Sequence, residues 1–221
     1  PSLGEIATGS VTLTLTTTGV GNCSPVADDI TITISPAPVV SSGADETYCA
    51  NNAEIPLNGA VSEASGGIWS GGNGTFTPDV NTLDAIYTPS IGELTAGSVT
   101  LTLTSTGNGD CLAESDNVTF TFNQAPTVNA GIDQTLCSNN AEASLSGSVT
   151  IAGGATWSGG AGTFSPNANS LNASYTPTPA ELASGSVTLT LTSTGNGTCN
   201  PVSDDITLTY TPAPTANAGV D

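Results

Sequence analysis

The sequence predicts an all-β chain built from tandem β-sandwich repeats. Three observations carry this prediction: motifs that return every 88 residues, runs in which apolar residues alternate with threonine, and turn residues between those runs. Cys23, Cys111 and Cys199 fix the period, since 111 − 23 and 199 − 111 both equal 88. Self-similarity at a fixed period is the signature of a repeat architecture.

The repeat boundaries follow from the longest recurring segment. Residues 16–38 (TTTGVGNCSPVADDITITISPAP) return as residues 104–126 and again as 192–214. Each copy ends at an Ala-Pro pair before a polar stretch, as expected of a linker. We therefore predict a first repeat at 36–123, a second repeat at 124–211, the C-terminal part of a truncated repeat at 1–35, and a linker with the start of a further repeat at 212–221.

The strands are best seen in the second repeat. Residues 186–194 (SVTLTLTST) and 206–211 (ITLTYT) alternate apolar residues with threonine, a period of two that indicates half-buried strands. Gly195, Asn196 and Gly197 join the two runs into a hairpin. Further short strand candidates lie at 132–137, 143–149, 155–158, 162–164 and 171–175, with one helical turn predicted at 177–182.

About seven short antiparallel strands separated by turns are typical of an immunoglobulin-like sandwich. Each repeat also has one tryptophan, in a Trp-Ser-Gly-Gly motif. Such a residue can stack on sugars or fill the core, and its place in a short strand flanked by tight turns favours the core. The expected core anchors are Trp69, Phe76, Tyr87, Trp157, Phe164 and Tyr175.

The charge composition excludes several function classes. The chain has 19 Asp and Glu, no Lys, Arg or His, and a net charge of −19. Nucleic acids and anionic membranes are bound through Lys and Arg, so neither is an expected partner. Without His or Lys, the common nucleophile–base devices cannot be assembled, and we expect no enzyme. No stretch is long enough to span a membrane and no signal peptide opens the chain, so Pro1 is expected to begin a fragment.

The cysteines allow two pairings that respect the repeat. One lies within repeats, Cys49 with Cys111 and Cys137 with Cys199; the other crosses repeats, Cys23 with Cys49 and Cys111 with Cys137. In an immunoglobulin-like sandwich with its first strand starting beside the last hairpin, Cys111 lies tens of ångströms from the next repeat. A disulfide needs Cα atoms within about 7 Å. We therefore expect pairing within repeats, with the partner of Cys23 outside the chain, and an extracellular location.

Recurring carboxylates are weak calcium candidates. Asp45, Asp133 and Asp221 follow the linkers, and Asp116 and Asp204 stand at the start of the last strand of each repeat. Calcium prefers oxygen ligands, but no dense Asp-x-Asp cluster is present, and Asp at strand ends commonly serves turns. We expect no cofactor, with calcium as the alternative.

The chain resembles the repeats of giant gliding-motility surface adhesins (SprB-like proteins), which gliding Bacteroidetes secrete by the type IX route. The segments that carry this resemblance are AGIDQTLCSNNAEASLSGSV (130–149), TWSGGAGTF (156–164), LNASYTPTPAEL (171–182) and GSVTLTLTSTGNGTCNPVSDDITLTYTPAP (185–214). The resemblance implies a cell-surface filament that the gliding motor moves. It supplies no catalytic residues, and contact with the substratum, with polysaccharide and with the gliding and secretion machinery is expected through other parts of the protein.

Three functional hypotheses remain. The repeats form the stalk of an adhesin, they bind polysaccharide or a partner surface themselves, or they associate laterally into a non-adhesive filament. Exposed aromatics on one face favour binding, whereas buried tryptophans beneath threonine-covered faces favour the stalk.

Overall fold

The computed structural model describes residues 1–217. The chain forms two compact units: residues 1–46 with 54–121, and residues 47–53 with those from 122 onward. The second unit thus includes a short segment, 47–53, from the predicted first repeat. Asp221 and the rest of 218–221, within the expected start of a further repeat, lie outside the described residues.

The second repeat is a sandwich of short strands with one six-residue helix. Its elements are β12 (Thr127–Asn129), β13 (Gln134–Cys137), β14 (Ala143–Ser144), β15 (Ser148–Thr150), β16 (Gly154–Ser158), β17 (Thr163–Ser165), β18 (Ser174–Thr176), α3 (Pro179–Ser184), β19 (Ser186–Thr194) and β20 (Ser203–Thr211). The sheets have the orders β13-β20-β19-β16, β14-β18-β17 and β12-β15. The pairs are antiparallel except β13 with β20, which is parallel.

The first repeat has the same order of elements. They are β3 (Val39–Ser41), β4 (Glu46–Cys49), β5 (Ile55–Pro56), β6 (Ala60–Ser62), β7 (Gly66–Ser70), β8 (Thr75–Thr77), β9 (Ile86–Thr88), α2 (Ile91–Ala96), β10 (Ser98–Thr106) and β11 (Ser115–Asn123). The sheets are β4-β11-β10-β7, β5-β9-β8 and β3-β6. The predicted all-β tandem sandwich is confirmed.

The strand predictions differ from the structure in two places. The expected strand 143–149 is two strands, because the chain changes partner between them: β14 pairs with β18, whereas β15 pairs with β12. Strands that switch sheets in this way form the corners of a sandwich. Strand β12 itself has no counterpart among the predicted strands, since three residues are too few to show an alternation.

The core of the second repeat follows from the alternation in its two longest strands. Leu189 and Leu191 of β19 face Ile206 and Asp204 of β20 in the register, and the apolar side chains among them are buried. The intervening threonines are exposed or half-buried. Trp157 of β16 lies opposite Leu191 on the other side of β19 and completes this layer.

A glycine makes room for each tryptophan. A Cβ atom on Gly147 would lie 2.6 Å from a methyl carbon of Leu191 and 3.0 Å from the ring of Trp157. Gly59 has the same relation to Trp69, at 2.8 Å. Core atoms pack at near-crystalline density, so any side chain here would displace the indole.

Residues 1–35 fold as a helix and a hairpin: α1 (Leu3–Thr8), β1 (Ser10–Thr16) and β2 (Ala27–Thr33). Leu13 and Leu15 are 52% and 79% exposed, whereas Leu101 and Leu103, 88 residues later, are fully buried. The hairpin thus has the apolar face of a complete repeat without the second sheet that covers this face in the first and second repeats. Among the described residues, no helix is long and apolar enough to cross a membrane.

Candidate functional site: the repeat core, a carboxylate cluster and a disulfide

Both tryptophans are enclosed by their own repeats. Trp69 and Trp157 are 1% and 2% exposed. The indole nitrogen of Trp69 donates to the Leu83 carbonyl at 3.1 Å, and that of Trp157 donates to the Leu171 carbonyl at 3.4 Å. With their faces buried and their N–H groups bonded, these rings are not placed to stack on a sugar.

The other expected anchors surround a polar cluster. Tyr87 and Tyr175 are fully buried, and their rings lie 4.8 and 4.9 Å from those of Phe76 and Phe164. The two phenylalanines are only half-buried. Each tyrosine hydroxyl points away from the apolar core toward a glutamate of the adjacent helix.

In the second repeat this glutamate is Glu181, at the third position of α3. Its Oε1 accepts from the hydroxyl of Tyr175 at 2.7 Å and from the backbone N–H of Ala161 at 2.7 Å. Its Oε2 accepts from the backbone N–H of Thr178 at 2.7 Å and from the Thr178 hydroxyl at 3.0 Å. The Tyr175 hydroxyl in turn accepts from the N–H of Gly162 at 2.8 Å. We call this group of residues the carboxylate cluster.

Local sequence explains why the cluster forms. Thr178 and Glu181 make a capping box, with the threonine hydroxyl accepting from the Glu181 N–H while the glutamate returns to the Thr178 N–H. Pro179 stands at the first turn, and Gly185 ends the helix in the left-handed conformation. The capping box is visible in the sequence as Thr-x-x-Glu, whereas its bond to Tyr175 depends on the fold.

The cluster shifts the acidity of both partners. Burial raises the pKa of Glu181, but the hydrogen bonds from Thr178, Tyr175 and Ala161 outweigh it and hold the pKa at about 2. Burial, and then the bond to Glu181, raises the pKa of Tyr175 to about 12. The carboxylate is therefore ionised and the phenol protonated at neutral pH, and neither group serves as a proton donor or base there.

The first repeat repeats the cluster with a serine cap. Glu93 accepts from the Tyr87 hydroxyl at 2.7 Å, the Asn73 N–H at 2.8 Å and the Ser90 N–H at 2.7 Å. Burial raises the pKa of Glu93, and these bonds lower it below the usual range. A buried carboxylate with all its acceptor positions bonded is a structural tie between α2, β9 and the turn before β8.

The calcium candidates are also bonded to backbone. In the second repeat, Asp133 accepts from the Thr207 N–H and Asp204 accepts from the Ala130 N–H, both at 2.8 Å. In the first repeat, Asp45 accepts from the Thr119 N–H and Asp116 accepts from the Ser42 N–H. The Ser42 N–H and hydroxyl lower the pKa of Asp116. Among residues 1–217, no three His, Cys, Asp or Glu side chains converge as a metal site.

The disulfide differs from both pairings expected from the sequence. The structure joins Cys49 to Cys199, whose Cα atoms are 5.0 Å apart and whose sequence separation is 150. Both residues belong to the second compact unit, because Cys49 lies in the 47–53 segment. Cys23, Cys111 and Cys137 are free thiols among the described residues. The expected bonds Cys49–Cys111 and Cys137–Cys199 are thus replaced by one bond between the two repeats of the sequence.

Strand direction gives the physical reason. Because β13 runs parallel to β20, Cys137 at its end lies opposite Thr211, the last residue of β20. Cys199 precedes Ser203, the first residue of that strand. Eight strand intervals of about 3.3 Å then separate the two cysteines by roughly 26 Å, well beyond the reach of a disulfide. The expectation placed the start of the first strand beside the last hairpin, but Cys137 is the last residue of β13 and lies at the opposite end of the sandwich.

Hydrogen bonds flank the disulfide. The side-chain amide of Asn51 donates to the Asn200 carbonyl at 3.0 Å, and its oxygen accepts from the Asn200 N–H at 3.1 Å. Asn200 donates from its own side chain to the Asn51 carbonyl at 3.2 Å. The sulfurs of Cys49 and Cys199 lie 4.0 and 3.7 Å from the Gln124 carbonyl oxygen. At this site, which we call the junction, the Asn51 side chain binds the backbone of Asn200, and the Asn200 side chain adds one further bond.

Comparisons with known proteins found similar solved structures. No protein-family model matches it, and no curated protein matches it. Solved structures with a related arrangement include the extracellular cadherin domains 3–6 of protocadherin gamma B2 (13% identity, 96% of this chain, 63% of that chain, TM-score 0.39). A second is Drosophila N-cadherin EC1-4, with 13% identity over 84% of this chain and 52% of that chain and a TM-score of 0.42. A third is mouse cadherin-23 EC22-24, with 14% identity over 96% of this chain and 78% of that chain and a TM-score of 0.36.

The chain spans 63% and 52% of the length of the protocadherin and N-cadherin chains. At these identities and TM-scores the likeness carries no conclusion about what the chain binds.

Proposed function

We propose that these repeats form the structural stalk of an extracellular cell-surface adhesin, and that their function is to set its reach and tensile strength. The observation that carries the proposal is the burial of Trp69 and Trp157 beneath strands whose outward positions are threonine. A binding repeat needs an exposed aromatic or apolar site, whereas a spacer needs a self-contained core and a polar surface.

The charge pattern supports the same role. With 19 acidic and no basic side chains, repeats of this composition repel one another and stay soluble when many are joined. This repulsion disfavours the lateral association that a non-adhesive filament requires. The carboxylate cluster is occupied by structural hydrogen bonds, so we assign the described residues no catalytic role.

The resemblance to gliding-motility adhesins extends the proposal. On this basis the stalk is exported by the type IX route, is moved by the gliding machinery, and contacts the substratum or surface polysaccharide through parts of the protein outside these repeats. Disulfide formation in the second unit supports assembly outside the cytoplasm.

Deletion in the whole protein tests the stalk. Removing 88 residues, 124–211, preserves the period and is expected to leave export and attachment of cells to glass intact. Removing several repeats is expected to weaken attachment and slow gliding in proportion to their number, whichever repeats are removed. A matched deletion of 124–167 cuts one sandwich in half and should reduce the amount of protein exported.

Direct binding is the second candidate, and a separate assay decides it. The purified chain is attached to beads and the beads are washed over polysaccharide-coated glass, with albumin-coated beads as the control. If the repeats serve only as a stalk, chain-coated and albumin-coated beads should be retained equally. Specific retention of the chain-coated beads, or loss of attachment after removal of one particular repeat, would assign binding to the repeats and overturn the proposal.

A further inference from the structure

Two of the free cysteines occupy the same positions as the bonded ones. Cys111 stands 88 residues before Cys199, and its sulfur lies 3.4 Å from the Pro36 carbonyl oxygen, as that of Cys199 lies 3.7 Å from the Gln124 carbonyl. Cys137 stands 88 residues after Cys49. The Cys137 sulfur lies 4.0 Å from the Pro212 carbonyl oxygen, and the Cys49 sulfur lies 4.0 Å from the Gln124 carbonyl oxygen. Each free thiol therefore has the local geometry of one half of the disulfide.

We infer that the second cysteine of every repeat is bonded to the first cysteine of the repeat before it, so that an array carries a staggered ladder of disulfides. The partner of Cys137 is then the second cysteine of a following copy of this repeat. The partner of Cys111 is the first cysteine of a preceding copy. The ladder uses every cysteine of the period, including Cys23, and it does not depend on the adhesin function.

One of the two asparagines that flank the disulfide recurs with the cysteines. Asn139 of the second repeat stands where Asn51 stands in the first, and it is exposed, whereas Asn51 is half-buried at the junction. The side-chain amide of Asn51 bonds the backbone N–H and carbonyl of residue 200. A following repeat therefore needs no particular side chain at that position. Leu112, the counterpart of Asn200, fits this requirement, and it is 86% exposed.

A cleft beside Cys111 marks the receiving surface on the first repeat. It is lined by Pro36, by 63–65 and by the turn 107–110 that precedes Cys111. The counterpart of Pro36 is Gln124, whose carbonyl lies against both sulfurs of the disulfide. The cleft is thus positioned to receive a segment equivalent to 47–53.

Formation of each rung is a balanced oxidation. Two cysteine thiols lose two protons and two electrons and form one S–S bond. A protein disulfide oxidant accepts them, and its own disulfide becomes two thiols. Thiol–disulfide exchange of this kind occurs outside the cytoplasm.

The ladder limits how far the array extends under force. Each disulfide closes a stretch of 150 residues, longer than one period, so successive loops overlap. A covalent route then crosses two repeats through one disulfide and the segment from Cys111 to Cys137, which is 26 residue intervals long (137 − 111). Fully extended, those residues span about 90 Å, against about 600 Å for two reduced repeats. The oxidised array therefore stops extending at about 45 Å per repeat even if its sandwiches unfold.

The test adds one repeat to the chain. Residues 124–211 are followed directly by a second copy of 124–211, free thiols are alkylated, and the non-reduced digest is mapped by mass spectrometry. We expect Cys49 linked to Cys199 as before, and Cys137 linked to the copy's counterpart of Cys199. The alkylated thiols should be Cys23, Cys111 and the copy's counterpart of Cys137.

Alkylation of Cys137, its bonding to Cys199, or a covalent dimer would each overturn the inference. The same mapping on the whole protein isolated from cells is a second measurement that requires no designed chain. There Cys111 and Cys137 should resist alkylation until a reductant is added, and their alkylation without reductant would refute the ladder.

Pulling the chain without the added repeat provides the mechanical readout, because its Cys49–Cys199 disulfide encloses all the residues between those two cysteines. Unfolding of residues between Cys49 and Cys199 should release no contour length in the oxidised chain and should release it after addition of dithiothreitol. The Cys49→Ser chain is the matched control, since it should release this length under both conditions. Equal release from the oxidised and reduced parent chains would contradict the mechanical consequence.

Discussion

Replacing Glu181 with glutamine tests whether the carboxylate cluster stabilises the second repeat. The glutamate accepts four hydrogen bonds, two from backbone N–H groups and two from hydroxyls. Glutamine has one carbonyl oxygen and one NH2 group in their place. A hydroxyl can turn to accept from the NH2, but a backbone N–H cannot. In either orientation the amide therefore leaves Ala161 or Thr178 with its N–H facing another donor.

The size of the effect follows from two independent estimates. A hydrogen bond to a charged group contributes about 1.5 to 3 kcal/mol, and an unsatisfied buried N–H costs about 1 to 3 kcal/mol. The fall of the Glu181 pKa from its ordinary 4.5 to about 2 corresponds to roughly 3.5 kcal/mol at about 1.4 kcal/mol per pKa unit, before a reduction for partial exposure. We expect Glu181→Gln to lower the free energy of unfolding by about 3 kcal/mol at pH 7.

Urea unfolding followed by tryptophan fluorescence measures the change, with Glu142→Gln as the control. Glu142 is exposed and its replacement removes the same charge, so it should shift the free energy by less than about 0.5 kcal/mol. Because the folded pKa of Glu181 is lowered, its contribution is present above pH 4.5 and is lost as the pH falls toward 2. The gap between the parent chain and Glu181→Gln should close over that range. Equal effects of the two substitutions, or a gap independent of pH, would refute the reasoning.

Three further predictions concern the same unit. Replacing Cys49 with serine removes the disulfide that closes a 150-residue loop, and should lower the free energy of unfolding of the unit by at most about 5 kcal/mol. Urea unfolding of this variant and of the parent chain, each without and with reductant, measures the difference. Because the pKa of Tyr175 is raised to about 12, its contribution to stability should be full below pH 10 and should decline as the pH rises toward 12. Tyr175→Phe should reduce this decline in circular dichroism melts, and the part that remains belongs to the other tyrosines with raised pKa values, such as Tyr210. A Cβ on Gly162 would overlap the Thr176 carbonyl, so Gly162→Ala should lower the melting temperature by several degrees. Gly153→Ala is the control: a Cβ there would have its nearest neighbouring atom at 3.7 Å, so the melting temperature should change little.

The sequence predicted the elements that depend on local pattern. Leu189 and Leu191 alternate with threonine, and the structure places those leucines in the core because a strand turns successive side chains to opposite faces. The helical turn expected at 177–182 is α3 at Pro179–Ser184, since its proline, capping box and terminal glycine are contiguous in the chain. The expected long strand 143–149 was divided because its two ends pair with different strands, which no local pattern records.

Sequence by itself determined the 88-residue period, the alternation and the residue types available for chemistry, because each is a property of neighbours along the chain. Only the tertiary structure decided which cysteines meet and where Glu181 binds. Parallel pairing of β13 with β20 places Cys137 far from Cys199, and the short segment 47–53 brings Cys49 to it instead. The direction of a strand beside a partner some 75 residues away is a long-range property, and the local alternation is the same for either direction.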